Sequence, residues 1–71
     1  MNKPKGFMIA QTGGGCTAYV KGNIMVTDQE GRNLPLIDEP VLVGVYADTT
    51  LAEPICFAKF NSLKEYWRMH V

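Results

Sequence analysis

Metal-binding and redox side chains are scarce in this 71-residue chain, which has one histidine, His70, and two cysteines, Cys16 and Cys56. Three soft ligands without a CxxC spacing do not make a four-ligand structural zinc site. No metal and no cofactor are expected. A Cys16–Cys56 bridge is open to the chain, but nothing in the sequence requires one. The start of the chain has no secretory leader pattern, which points to a cytoplasmic setting with reduced thiols. No run approaches the roughly 18 apolar residues that span a bilayer, so no membrane partner is expected. Net charge is lacking too, because seven basic residues balance seven acidic ones. General nucleic-acid binding rests on neutralising phosphates, and a chain of zero net charge is not built for it.

The length allows one domain, residues 1–71, with 1–6 expected to be flexible. A folded chain of this size has about 4,400 Å² of surface and buries only about 60% of what its unfolded form exposes. Its core supplies only a few kcal/mol of net stability. Self-association is one way to add to that.

The charges that are present are unevenly spread. Residues 1–27 carry Lys3, Lys5 and Lys21 and no acid. Residues 28–53 carry Asp28, Glu30, Asp38, Glu39, Asp48 and Glu53 against Arg32 alone. The last segment is basic again through Lys59, Lys64 and Arg68. The acidic middle reads either as a set of solvated turns or as a face that meets a basic partner surface.

Strand signals dominate. Met8-Ile9-Ala10-Gln11 is a short apolar run that ends in Thr12-Gly13-Gly14-Gly15, a loop or a bulged strand. Cys16 to Lys21 is rich in β-branched and aromatic residues and stops at the hairpin signal Gly22-Asn23. Ile24-Met25-Val26-Thr27 is its partner, followed by Asp28-Gln29-Glu30-Gly31, which fits a type I turn closed by a left-handed glycine. Leu34-Pro35-Leu36 reads as a brief pairing at a sheet edge. Val41 to Tyr46 is apolar on both alternating faces, the pattern of a central strand covered on each side, and Gly44 lets something bulky pack close. Ala47 to Leu51 is a turn. In Ile55 to Phe60, Ile55, Phe57 and Lys59 share one face and Cys56, Ala58 and Phe60 the other.

The period changes at Ser62-Leu63-Lys64-Glu65, a capping box in which the Ser62 hydroxyl accepts from the amide three residues on, with Asn61 as a competing cap. Leu63, Tyr66, Trp67 and His70 then form one helical stripe. The fold class that follows is α+β, an antiparallel sheet of four or five strands with one C-terminal helix packed on one face.

Few features suggest chemistry. The glycine run lacks the helix and the Lys-Ser or Lys-Thr pair of a phosphate loop. Cys16 as a nucleophile with His70 as base would require the two to meet, and nothing in the sequence brings them together. A lone cysteine is more often a small buried apolar residue. Adjacent acids Asp38 and Glu39 point to opposite sides of an extended segment, which disfavours paired acid–base work. Trp67 reads as core. Tyr66 and Arg68, at the helix margin, are candidate partner-facing anchors.

The stretch Thr12-Gly13-Gly14-Gly15-Cys16-Thr17-Ala18, with the Asp28-to-Gly31 turn, Glu39-Pro40-Val41 and Gly44-Val45-Tyr46, resembles short uncharacterised phage and prophage proteins that share a TGGGCTA run near the N-terminus. The resemblance covers roughly residues 8–48. It implies a mobile-element origin and transfers no catalytic residue. The expected function is a small non-enzymatic binding or inhibitor protein that occludes a surface of a host or phage protein complex, such as a CRISPR effector. Asp28, Glu30, Asp38 and Glu39 would steer association, and Tyr66 and Arg68 would anchor it. The alternative is a structural or assembly protein that forms a homo-oligomer by pairing its strand edges.

Overall fold

The computed structural model describes residues 3–70. Among them the chain forms strands β1 (Met8–Gly13), β2 (Cys16–Lys21), β3 (Ile24–Asp28), β4 (Val41–Tyr46) and β5 (Pro54–Phe60), then helix α1 (Leu63–Arg68). All neighbouring pairs are antiparallel, and the sheet order follows the chain order. The fold is the expected small α+β type, an up-and-down meander of five strands with a short C-terminal helix.

Within the segment expected to be flexible, Met1 and Asn2 lie outside the described residues. Lys5 and Gly6 form a turn in which the Phe7 N–H donates to the Pro4 carbonyl at 3.4 Å. That turn delivers the Phe7 ring into the core. The glycine run is both a strand and a turn. β1 continues to Gly13 with a register shift after Gln11, and Gly14 and Gly15 then turn the chain at φ 59° and 81°. Only glycine takes two consecutive left-handed positions without steric strain, and such turns match the twist of a hairpin.

Register sorts the side chains into two faces. Ile9, Tyr19, Val26, Val43 and Ala58 form one row across all five strands. This is the face that α1 covers. Leu63, Tyr66 and Trp67 of the helix join Phe7, Val26, Val41 and Val43 in the buried cluster. The Trp67 ring stands against Tyr19 at 5.2 Å and Phe7 at 4.9 Å, and Tyr66 packs on Phe60 at 4.9 Å. A helix of six residues is far below the length that is stable alone, so packing holds it in place. Its start is also satisfied locally. The Ser62 hydroxyl accepts from the Glu65 N–H at 3.1 Å, as the capping signal predicts. The Leu63 and Lys64 amides donate to the carbonyls of Glu39 and Ile37 at 2.9 and 2.8 Å.

Two expectations are corrected and one is met. Tyr66 is not at the helix margin. It is 5% exposed because the stripe that seats Trp67 also turns Tyr66 inward, onto Phe60. As expected, β4 lies inside the sheet, paired with β3 on one side and β5 on the other, and is buried on both faces. Its second buried face is filled by the protein's own rings, since a Cβ on Gly44 would lie 2.9 Å from Tyr46 and 3.0 Å from Phe57. Finally, Leu34-Pro35-Leu36 forms no strand. The residues just before it close the sheet instead. The Arg32 carbonyl accepts from the Thr17 N–H at 2.8 Å and the Asn33 carbonyl from the Asp28 N–H at 3.0 Å, and Pro35 is buried behind them.

Candidate functional site

The loop from Gln29 to Pro40 leaves β3 and returns as β4 directly beside it, with Asp28 opposite Val41. This geometry brings the two ends of the loop together. Asp28, Glu30 and Glu39 therefore converge on one open cleft of about 310 Å³, with Gln29 and Pro40 completing its wall. Asp38 is exposed next to Glu39 but does not line the cleft. A second cleft of about 340 Å³ shares Gln29 and Pro40 and continues over Val41, Leu42, Lys59, Phe60 and Asn61. One end of the sheet thus joins an acidic hollow to one lined by both polar and apolar side chains.

The acids differ in what they already do. An Asp28 carboxylate oxygen accepts from the backbone N–H groups of Glu30 at 3.2 Å and Arg32 at 3.1 Å. Partial burial pulls the Asp28 carboxyl upward, but donations from the Arg32, Asn33, Glu30 and Gly31 amides outweigh it and hold the group below its ordinary value. The expected turn is present, with the Gly31 N–H on the Asp28 carbonyl at 3.1 Å and Gly31 at φ 74°. A Glu39 carboxylate oxygen accepts from the Leu36 N–H at 2.8 Å. Asp28 and Glu39 are therefore partly engaged in shaping their own loop. Among the described residues, the Glu30 and Asp38 carboxylates accept no hydrogen bond and both are exposed, which leaves them available to a partner.

The Asp28 arrangement predicts an acid response. A carboxyl with a lowered folded-state pKa stabilises the fold above its unfolded value of about 3.9, and that contribution disappears as pH falls through the lower folded value. Asp28→Ala should lower the midpoint of thermal unfolding at pH 7 and flatten the fall in stability below about pH 4. Asp48, held low by the Thr50 hydroxyl and N–H, leaves a residual slope in the same window. Thermal melts between pH 2.5 and 7 check this. Identical acid limbs in the two proteins would refute it.

The remaining sequence candidates are scattered. Arg68 is exposed on α1 and lines neither cleft, and Tyr66 is in the core. Both cysteines are free, Cys16 half-buried and Cys56 exposed. They sit on β2 and β5, three strand spacings apart or about 14 Å, too far for a bridge. Their register also turns them to opposite faces, Cys56 with Val45 on the helix side and Cys16 with Ala18 on the other. His70 lies at the end of α1, 5.4 Å from the Phe7 ring and 4.6 Å from the Tyr66 ring. Cys16 and His70 are therefore on opposite sides of the sheet. Among the described residues no three His, Cys, Asp or Glu side chains cluster to hold a metal ion.

Sequence reasoning missed the face opposite the helix. There Met8, Val20, Met25, Gly44 and Phe57 form an apolar row across all five strands. The alternation within each strand carries that signal, but only the register aligns the strands into a row. Among the described residues no helix is long and apolar enough to cross a membrane. No protein family, no curated protein and no solved structure matches the chain.

Proposed function

We propose that this is a small non-enzymatic binding protein that occludes a surface of a macromolecular complex by presenting the acidic end of its sheet. One observation carries the reading: Asp28, Glu30 and Glu39, from the two ends of a loop, gather in one cleft that adjoins a second one where Leu42 and Phe60 lie among polar side chains. Carboxylates beside apolar surface suit a basic protein patch, where charge speeds the encounter and apolar contact holds it. Glu30 and Asp38 supply the free charge. Leu42 and Phe60, both half-buried, supply the contact area. The resemblance to phage proteins directs the search for a target to host defence complexes, CRISPR effectors among them.

The test pairs capture with charge reversal. Tagged protein is incubated with host lysate, and the co-purifying complex is identified by mass spectrometry. Glu30→Lys with Asp38→Lys should slow association at least tenfold at low salt and flatten its salt dependence, because steering acts on the on-rate. The melting temperature should stay within about 2 °C, since exposed substitutions change stability little. An unchanged on-rate removes the acidic end as the binding surface.

A further inference from the structure

We infer that the free edge of β1 pairs with β1 of a second copy of this chain, antiparallel and centred on Ala10, so that two sheets join into one. The backbone fixes which groups are free. In an antiparallel ladder, successive residues direct their N–H and C=O groups to alternate sides of the strand. The Thr17 N–H donates to the Arg32 carbonyl at 2.8 Å, on the side of β2 away from β1. Gln11 stands opposite Thr17, so the Gln11 backbone groups also point away from the pair, out of the sheet. Ile9, two residues earlier, does the same, whereas Met8 and Ala10 face inward to Val20 and Ala18. Among the described residues no other group bonds to the backbone of Ile9 or Gln11. A strand edge with unpaired donors and acceptors is a template for a further strand.

The two edges of the sheet are not alike. β5 begins at Pro54, has its register shift at Ile55 and carries Lys59. Proline, bulges and lysine are the devices that keep edges from pairing. β1 has no proline and no charged residue, and its register shift comes only after Gln11. Met8 is 71% and Ile9 57% exposed, and Gln11 is exposed too, so a strand can approach them.

A second copy matches this edge group for group. A two-fold axis through Ala10, perpendicular to the sheet, sets Ile9 opposite the partner's Gln11 and Gln11 opposite the partner's Ile9. Four hydrogen bonds then use every outward N–H and C=O of the four residues. Neighbouring registers do worse. Centring on Ile9 brings in Phe7, whose N–H is already given to the Pro4 carbonyl. Centring on Gln11 runs into the register shift. In the Ala10 register the two alanines form a non-hydrogen-bonded pair, where Cα atoms lie only about 4.5 Å apart and small side chains fit. The two Ile9 side chains become diagonal neighbours on the helix side of the joined sheet, within reach of each other across the axis. The joint is about five residues or about 17 Å long, well short of a standard interface, so the dimer is weak, with a dissociation constant of about 0.1–1 mM. The acidic cleft, built on β3 and β4, stays uncovered.

Amide hydrogen exchange measured by NMR at 0.05 and 2 mM tests the proposal. The Ile9 and Gln11 amides should exchange at least twofold more slowly in the concentrated sample. Ile9→Lys sets like charges across the axis and should abolish that difference, with far-UV circular dichroism unchanged because the Ile9 side chain is mostly exposed. The register is read by crosslinking in a Cys16→Ser, Cys56→Ser background. A mild thiol oxidant should link Ala10→Cys into a covalent dimer and leave Met8→Cys monomeric, since the two Met8 positions are four residues or about 14 Å apart along the joint. Exchange at Ile9 and Gln11 that is independent of concentration would overturn the proposal and leave the edge to a foreign strand. Protection that appears on β5 instead, protection that survives Ile9→Lys, or equal crosslinking of the two cysteine variants would overturn it as well. Glu30→Lys with Asp38→Lys should leave the concentration dependence unaltered, so failure here is separable from failure of the acidic-end reading.

Discussion

Replacing Trp67 by alanine should abolish cooperative folding at 25 °C. The indole is 1% exposed and lies within 6 Å of three other rings, those of Phe7, Tyr19 and Tyr66. Truncating a buried tryptophan costs about 3–5 kcal/mol, because the cavity collapses only in part. A single core of this size holds about 3–5 kcal/mol of net stability, so the loss consumes most or all of it. The helix fails with it, since six residues do not stay helical without their buried stripe. Trp67→Phe keeps an aromatic ring against Phe7 and Tyr19 and should remain folded with a lowered melting temperature. Proton NMR dispersion and thermal melts by far-UV circular dichroism distinguish the cases. A cooperative melt of Trp67→Ala within a few degrees of wild type would show that the helix is not what closes this core.

Gly44→Val should destabilise the protein even though valine is a better strand former than glycine. In an open strand the change would gain up to about 1 kcal/mol of β-propensity. Here the new Cβ would sit 2.9 Å from a Tyr46 ring carbon and 3.0 Å from a Phe57 ring carbon, and the branched methyl groups add to the clash. Overpacking of this kind costs about 1–3 kcal/mol. The net loss should be about 1–2 kcal/mol, which at this chain length lowers the melting temperature by about 4–16 °C. The two rings differ in their freedom to yield. Tyr46 is buried, whereas Phe57 is half exposed on the edge strand and can swing aside. Phe57→Ala should therefore recover at least half of the loss caused by Gly44→Val, as a coupling visible in a double-mutant cycle. Simple additivity of the two changes would place the strain elsewhere.

Much of the architecture is legible in residue order. The β-branched runs Cys16–Lys21 and Ile24–Asp28, separated by Gly22-Asn23, are the observed β2–β3 hairpin. Ser62 caps the helix its spacing announces, and Gly31 closes the Asp28 turn in the left-handed region. These features depend on groups only a few residues apart. The helical stripe likewise marks Leu63 and Trp67 as buried. Its breadth was harder to read, because whether Tyr66 faces water or Phe60 depends on where β5 ends relative to the helix.

The candidate site was only half legible. That Asp28, Glu30, Asp38 and Glu39 form an acidic middle is visible in composition. That Asp28, Glu30 and Glu39 share a cleft while Asp38 does not depends on the pairing of Asp28 with Val41. Leu34-Pro35-Leu36 has the apolar content of a strand. The carbonyls just before it are taken by the Thr17 and Asp28 amides, which lie on two other strands.

Residue order alone is enough for the α+β class, the turns and their glycines, the capped helix and its buried tryptophan. Each follows from backbone sterics, side-chain periodicity and short-range hydrogen bonds. The strand register, the convergence of the acids, the separation of Cys16 from Cys56 and His70, and the apolar row from Met8 to Phe57 emerge only in the folded sheet. Those depend on which residues stand opposite one another across the sheet, a relation between distant segments that no local period encodes.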